Sequence, residues 1–206
     1  MLETLRQRLQ AHRPRRMHAK LAEAAVLVPI VDRPEPTLLF TLRASHLSTH
    51  SGQVAFPGGK REPQDDDLLV TALRESEEEI ALPRHQVTVI GQLSDVLSLH
   101  GLKVTPFVGI IPPDLPLVAD ENELDAIFEV PLEHFLEDRR THTDVIQRNG
   151  NKVYIPSYRI PAESGMDDYI IWGLSAMMLV ELMSEGFGLS MSVLHRPEGK
   201  LRLVSN

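Results

Sequence analysis

GGKREPQDDDLLVTALRESEEEIALP, residues 58–83, is the stretch on which the reading of this chain turns. A glycine pair opens it, and glycine lets a backbone turn sharply or come close to a ligand. Three aspartates follow, then an apolar-periodic run, then Pro83. Acidic residues suit a helix start and proline stops one, so a helix is predicted over 65–82. Leu69, Ala72, Leu73, Ser76 and Ile80 share one face at helical spacing and form the expected packing surface. At 100° per residue, Glu75, Glu78 and Glu79 occupy a sector roughly opposite, and Glu77 points away from that sector.

Three carboxylates at i, i+3 and i+4 repel one another. They also lie in the last turns of the helix, where the dipole favours cations. Arg74 offsets part of this through its i+4 partner Glu78, and the remainder invites a cation. Clustered oxygen ligands in a chain with no cysteine point to Mg²⁺ or Mn²⁺ rather than zinc. A solvated acidic face is the competing reading of the helix alone. The Gly58-Gly59 turn just upstream shifts the balance towards a loop–helix site.

Outward from this unit, residues 24–31, 37–44, 87–93, 102–111 and 152–160 read as strands. Residues 46–60 read as a loop, a short strand and a tight turn. Residues 126–136 end a strand and open a short helix at Pro131. Residues 169–187 read as one long apolar helix, and leucines 2, 5 and 9 mark a short amphipathic helix. The order suits one α+β domain, an α/β/α sandwich with a mixed β-sheet, over residues 24–187. Residues 1–23 are then an N-terminal helical extension and 188–206 a C-terminal tail.

The 206 residues carry a net charge of −8. That balance argues against general nucleic-acid binding, which needs a basic footprint. A small anionic substrate can still bind where metal ions and a few cations invert the local field. No apolar run reaches the roughly 20 residues of a membrane span. The basic N-terminus lacks a signal-peptide h-region, so a cytoplasmic location is expected.

Residues 59–82 resemble the Nudix box, Gly-x5-Glu-x7-Arg-Glu-U-x-Glu-Glu-x-Gly-U, where U is aliphatic. Asp65 stands at the first Glu, and eight residues rather than seven precede Arg74-Glu75. Ser76 replaces the first aliphatic residue and Ala81 the final glycine, while Arg74-Glu75-x-x-Glu78-Glu79 is intact. Leu39-Phe40-Thr41-Leu42-Arg43 with Gly52-Gln53-Val54-Ala55-Phe56-Pro57-Gly58-Gly59 is similar to the coenzyme A pyrophosphatase branch. Ser48 falls where that branch has an arginine. Phe128-Glu129-Val130-Pro131-Leu132 and Ile171-Trp172-Gly173-Leu174-Ser175-Ala176 extend the resemblance across most of residues 24–182.

The resemblance implies metal-dependent hydrolysis of the diphosphate in a nucleoside diphosphate derivative. Coenzyme A would give 3′,5′-ADP and 4′-phosphopantetheine, and its thioesters the same pair with the acyl group kept on the pantetheine. It implies Glu75, Glu78 and Glu79 as ligands of Mg²⁺ or Mn²⁺, with Arg74 orienting them. Glu123 is a candidate outside acid, set against a solvated loop charge. Gly58, Gly59, Lys60 and Arg43 are candidate substrate contacts, and Lys103 is a further cation for phosphate. His46 and His50 are candidate acid–base groups set against ordinary loop histidines. Trp172 is a core residue or an adenine platform. The expected partner is a small nucleotide diphosphate, with a homodimer as the candidate assembly. Two other readings stand beside this one. One is hydrolysis of ADP-ribose, a dinucleotide or a damaged nucleotide, which Ser48 favours. The other is a non-catalytic ligand sensor, against which the three retained glutamates count.

Overall fold

A computed structural model of the chain describes residues 1–47, 52–148, 150–161, 168–193 and 201–203. The apolar run around Val28 becomes the central strand β1 (Glu23–Val31), nearly all of it buried. Burial on both faces explains why it reads as a continuous apolar run and not as an alternating one. Pro34 and Pro36 break the chain, and β2 (Thr37–Arg43) returns antiparallel, with Ile30 opposite Leu38.

β3 (Val54–Ala55) joins the end of β2, and β4 (Gly58–Lys60) pairs with the first half of β1. After helix α2 (Leu68–Ile80) come β5 (Thr88–Gln92), β6 (Val96–Leu97) and β7 (Lys103–Ile111). β7 lies parallel to β1 along its whole length, from Glu23 opposite Lys103 to Val31 opposite Ile111. β8 (Leu124–Pro131) runs antiparallel to β2, so that Arg43 meets Leu124. Beyond β3 the sheet continues through β11 (Tyr169–Trp172), β10 (Asn151–Ile160), β9 (His142–Arg148) and β12 (Leu201–Leu203). Parallel and antiparallel pairs mix, as expected.

Alternation along β1 sorts its side chains into two cores. Leu27 and Val31 join Leu39, Ile111, Leu124 and Ile80 under α2. Val28 and Ile30 face the other way, into a larger cluster with Phe40, Leu179 and Met183. Helices α1 (Leu2–Ala11) and α3 (Gly173–Glu181) cover that side, and α1 contributes Leu5 and Leu9 to the same cluster. The result is an α/β/α sandwich with the acidic helix alone on one face.

Three expectations are corrected. Residues 169–187 are not one helix: Tyr169–Trp172 is a strand paired with β10, and α3 starts only at Gly173, whose φ is +67°. An apolar run alone does not separate strand from helix, and aromatic and β-branched residues here favour pairing with β10. A π turn, Leu182–Gly186, follows α3. Leu69 and Leu73 are only half-buried. Ala72, Ser76 and Ile80, the rest of the expected face, are fully buried, the two small residues letting α2 come close to the sheet. Lastly, the Glu75–Glu79 sector is not opposite the buried face, since Glu79 is only 8% exposed.

Candidate active site

Helix α2 is held at both ends. Asp67 caps its N-terminus by accepting from the Val70 N–H at 2.9 Å. At the C-terminus Ala81 adopts a left-handed conformation, φ 54° and ψ 31°, which costs a non-glycine residue about 1 kcal/mol. Val118 N–H donates to the Ile80 carbonyl at 3.1 Å and Asp120 N–H to that of Glu79 at 2.9 Å. These bonds satisfy acceptors that a helix end leaves orphaned. They also bring the 118–124 loop, and Glu123 with it, beside the acidic turn.

Arg74 is the hub of the helix's charges. Its Nε and Nη2 grip both oxygens of Asp65 at 2.9 and 3.0 Å. Nη1 donates to Glu78 Oε2 at 2.9 Å, and Nη2 also reaches Glu75 Oε1 at 3.0 Å and the Lys60 carbonyl at 3.1 Å. Asp65 is buried and also accepts from the Glu62 N–H and the Thr71 hydroxyl. The Arg74 guanidinium holds the Asp65 carboxyl well below the usual range, and Asp65 in turn pushes Arg74 upward. Asp65 thus anchors the arginine.

Glu79 accepts from the Gly58 N–H at 3.0 Å. Burial pushes its carboxyl up to about 8, and the charges of Glu123 and Glu75 push the same way, against the Gly58 hydrogen bond and Arg43. Glu75 is also raised, by burial first and then by Glu78 and Glu123, with Arg74 opposing. The glycine pair makes this arrangement sterically possible. A Cβ on Gly59 would lie 2.3 Å from the Glu75 carboxylate, and one on Gly58, where φ is +152°, 2.3 Å from the Ala25 carbonyl.

The structure therefore gathers Glu75, Glu78, Glu79, Arg74, Gly58, Gly59, Arg43 and Glu123 around one end of β1. It does not bring in the Lys60 side chain. Gly59 pairs with Ala25 and Lys60 with Ala24, so the pleat sends Lys60 to the face away from Glu75, and only its carbonyl reaches Arg74. Lys103 Nζ pairs with Glu23 at 2.6 Å. His46 is exposed in the turn after β2. Trp172 ends β11, its Nε1–H donating to Asp144 at 2.8 Å. Ser48 and His50 lie outside the described residues. Among the described residues no three acidic or histidine side chains already converge as a metal-ligand set, because Arg74 draws Glu75 and Glu78 while Gly58 draws Glu79. The donors nonetheless fit a hard divalent cation: all are oxygens, three of them lie on two turns of one helix, and the missing side chain of Gly59 leaves the Glu75 carboxylate its place.

Sequence reasoning missed two features. The Gly58 N–H on Glu79 is a long-range contact with no local signal. The docking of residues 118–124 on the helix end was detectable only as Ala81, a non-glycine where the box has glycine.

An α/β/α sandwich with an oxygen-rich helix beside a glycine turn suits a hydrolase, and comparison with known proteins gives the family. Residues 21–148 match the NUDIX domain family. A protein of Salmonella paratyphi B described as an uncharacterized Nudix hydrolase, NudL, is 48% identical over 177 residues, 85% of this chain and 89% of that protein. Its counterpart in Salmonella typhimurium matches to the same extent. Among solved structures, a C. elegans Ap4A hydrolase binary complex superposes with a TM-score of 0.47 at 18% identity, covering 53% of this chain and 80% of that one. The chain belongs to the Nudix family and is a Nudix pyrophosphohydrolase. Members of that family generally use divalent ions such as Mg²⁺ or Mn²⁺. Among the described residues no helix is long and apolar enough to cross a membrane.

Proposed function

We propose that this chain hydrolyses the diphosphate bond of coenzyme A or its thioesters, releasing 3′,5′-ADP and 4′-phosphopantetheine, which keeps its acyl group when the substrate is a thioester. The observation that carries the reading is the Gly52–Gly59 run, which resembles the coenzyme A branch in sequence and ends with Gly58 and Gly59 seated on Glu79 and Glu75.

In this reading Glu75, Glu78 and Glu79 would hold the metal. A bound divalent ion screens the phosphate charge, lowers the pKa of water and steadies the leaving oxygen. The chain's own residues do the positioning. Asp65 fixes Arg74, and Arg74 presents Glu75 and Glu78 on one side of the helix. The Gly58 N–H fixes the remaining oxygen donor, Glu79. Glu123, on the loop docked at the helix end, orients water and takes its proton. Arg43, whose charge already acts on Glu79, meets a phosphate oxygen. The bare backbone of Gly58-Gly59 lets the diphosphate approach closely.

A second reading, preference for ADP-ribose or a dinucleotide, is favoured by Ser48 at the signature arginine position. A panel of nucleotide diphosphates assayed with Mg²⁺ and Mn²⁺, with products identified by mass, separates the two. Coenzyme A is expected to lead in kcat/KM. A tenfold or greater preference for ADP-ribose or a dinucleotide overturns the proposal in favour of the second reading. Ser48→Arg is expected to lower KM for coenzyme A.

A further inference from the structure

A cleft opens at the start of β1, the end at which the glycine turn pairs with it. It measures about 620 Å³ and is lined by Met17, His18, Ala19, Lys20, Leu21, Glu23 and Lys103. Its outer wall is the segment that links α1 to β1, and that segment is tied down. Asp95 accepts from the Met17 N–H at 2.7 Å and from the Thr105 hydroxyl at 2.7 Å. Arg15 N–H donates to Ser94 Oγ at 3.0 Å, and its carbonyl accepts from Asp95 N–H at 2.9 Å. The Lys103 N–H then holds the Ala22 carbonyl at 2.9 Å. Residues 18–21 therefore bridge two fixed points across the end of the sheet.

The cleft is close to the acidic helix and on its side of the sheet. Glu23 alternates with Ala25 and Leu27 towards the α2 face, and Lys103 is its register partner. Ala25 is the partner of Gly59. Glu23 is thus two residues, about 7 Å, along β1 from the site glycine. The charged side chains that line the cleft are mostly cationic. Glu23 is neutralised twice, by Lys103 at 2.6 Å and by Arg61 at 3.0 Å. Lys103 is nearly buried and spends one of its three N–H groups on Glu23. Lys20 and His18 are exposed, and among the described residues neither has a hydrogen-bond or ion-pair partner. In a chain of net charge −8, two lysines against one carboxylate in the lining, with Arg61 on that carboxylate from outside it, form a local positive patch beside the proposed diphosphate site.

We propose that this cleft is an anion subsite, in which Lys20 and Lys103, with His18 at the rim, bind the extra phosphate of a nucleotide phosphorylated on its ribose as well as at its 5′ end. The choice of ligand rests on the coenzyme A reading, since coenzyme A carries such a 3′-phosphate one ribose away from the diphosphate. Lys103 is the pre-placed donor, held by Glu23. Lys20, exposed at the opposite wall, supplies the second point charge to the phosphate.

Calorimetric titration of the full chain with 3′,5′-ADP and with 5′-AMP, in moderate salt, tests this without turnover. The wild type is expected to bind the bisphosphate at least fivefold more tightly, and Lys20→Gln to reduce that ratio severalfold while leaving 5′-AMP affinity unchanged. Lys103→Gln is expected to reduce it further, and a thermal melt of each variant checks that the fold is kept. Equal wild-type affinities for the two nucleotides, or losses in Lys20→Gln that are the same for both, overturn the subsite. Because the titration needs no hydrolysis, the two proposals fail separately. Preferential bisphosphate binding without coenzyme A turnover removes only the substrate reading, and coenzyme A turnover without that preference removes only the subsite.

Discussion

The two faces of the central sheet are built for different tasks. On the α1/α3 face, Leu5, Leu9, Val28, Ile30, Phe40, Leu179 and Met183 belong to one continuous apolar cluster. On the α2 face the apolar cluster is small, centred on Leu27, Leu39, Ile80 and Ile111, and much of the remaining contact is ionic. There Asp65, Arg74 and Glu79 are all buried. Buried charges cost stability unless they are paired and hydrogen-bonded, so the second face depends on its network being complete. The difference teaches that the large core carries the acidic helix's electrostatic cost, and that changes on the two faces should separate stability from chemistry.

The sharpest break in that comparison should come from the large core. Leu179 is fully buried, and Leu179→Ala is expected to cost about 3 kcal/mol, within the range for a buried leucine. Below the melting range its kcat/KM should stay within about twofold of wild type. Denaturant unfolding beside steady-state kinetics checks this, and a large loss of activity in the still-folded variant would erase the division of labour.

Asp65→Ala tests the ionic face. Stranding a buried Arg74 is expected to cost about 3 kcal/mol. The pH dependence has a definite sign. The Asp65 pKa is lowered in the folded state, so its contribution is fully present above the unfolded carboxylate value near pH 4 and is lost as pH falls through the folded value. Melts of Asp65→Asn are therefore expected to be lower than wild type at pH 7 and to fall less steeply between about pH 4 and pH 2. Parallel curves for the two proteins would mean that the pair contributes nothing.

The smallest expected effect sharpens the comparison at the helix end. Ala81 sits in a left-handed conformation, so Ala81→Gly is expected to raise stability by about 0.5 kcal/mol, the relief of strain exceeding the added unfolded-state entropy. Equilibrium unfolding measures it, and a destabilised variant would show that no strain is stored there.

Much of this architecture was legible in the sequence, for identifiable reasons. Helix α2 announces itself through Asp67, its apolar period and Pro83, and β1 and β7 through unbroken apolar runs. The burial of Glu79 was not legible, because the Gly58 N–H that draws it in comes from another strand. Residues 169–172 were hidden in an apolar run that fits either a strand or a helix. Of the β9–β10 pair, in which Arg148 lies opposite Asn151, only the second strand stands out as an apolar and β-branched run. At the site, spacing on one helix brought Glu75, Glu78 and Glu79 to attention, whereas the position of Glu123 depends on a loop docking that no local pattern encodes.

The central claim is that a subset of the acidic run holds the metal and the rest does not. Glu77 is exposed and paired with Arg84 at 2.7 Å, away from the glycine turn, while Glu78 shares Arg74 with Glu75. The direct test is kcat/KM for Glu78→Gln and Glu77→Gln across a Mg²⁺ titration, with thermal melts of both. Glu78→Gln is expected to lose roughly 10²-fold or more, since each ~1.4 kcal/mol of lost metal stabilisation is a factor of ten. Glu77→Gln is expected to change by less than about threefold, and both variants should melt near the wild type. Equal losses in the two variants, or a Glu78→Gln loss that follows a collapsed melting temperature, would contradict the account.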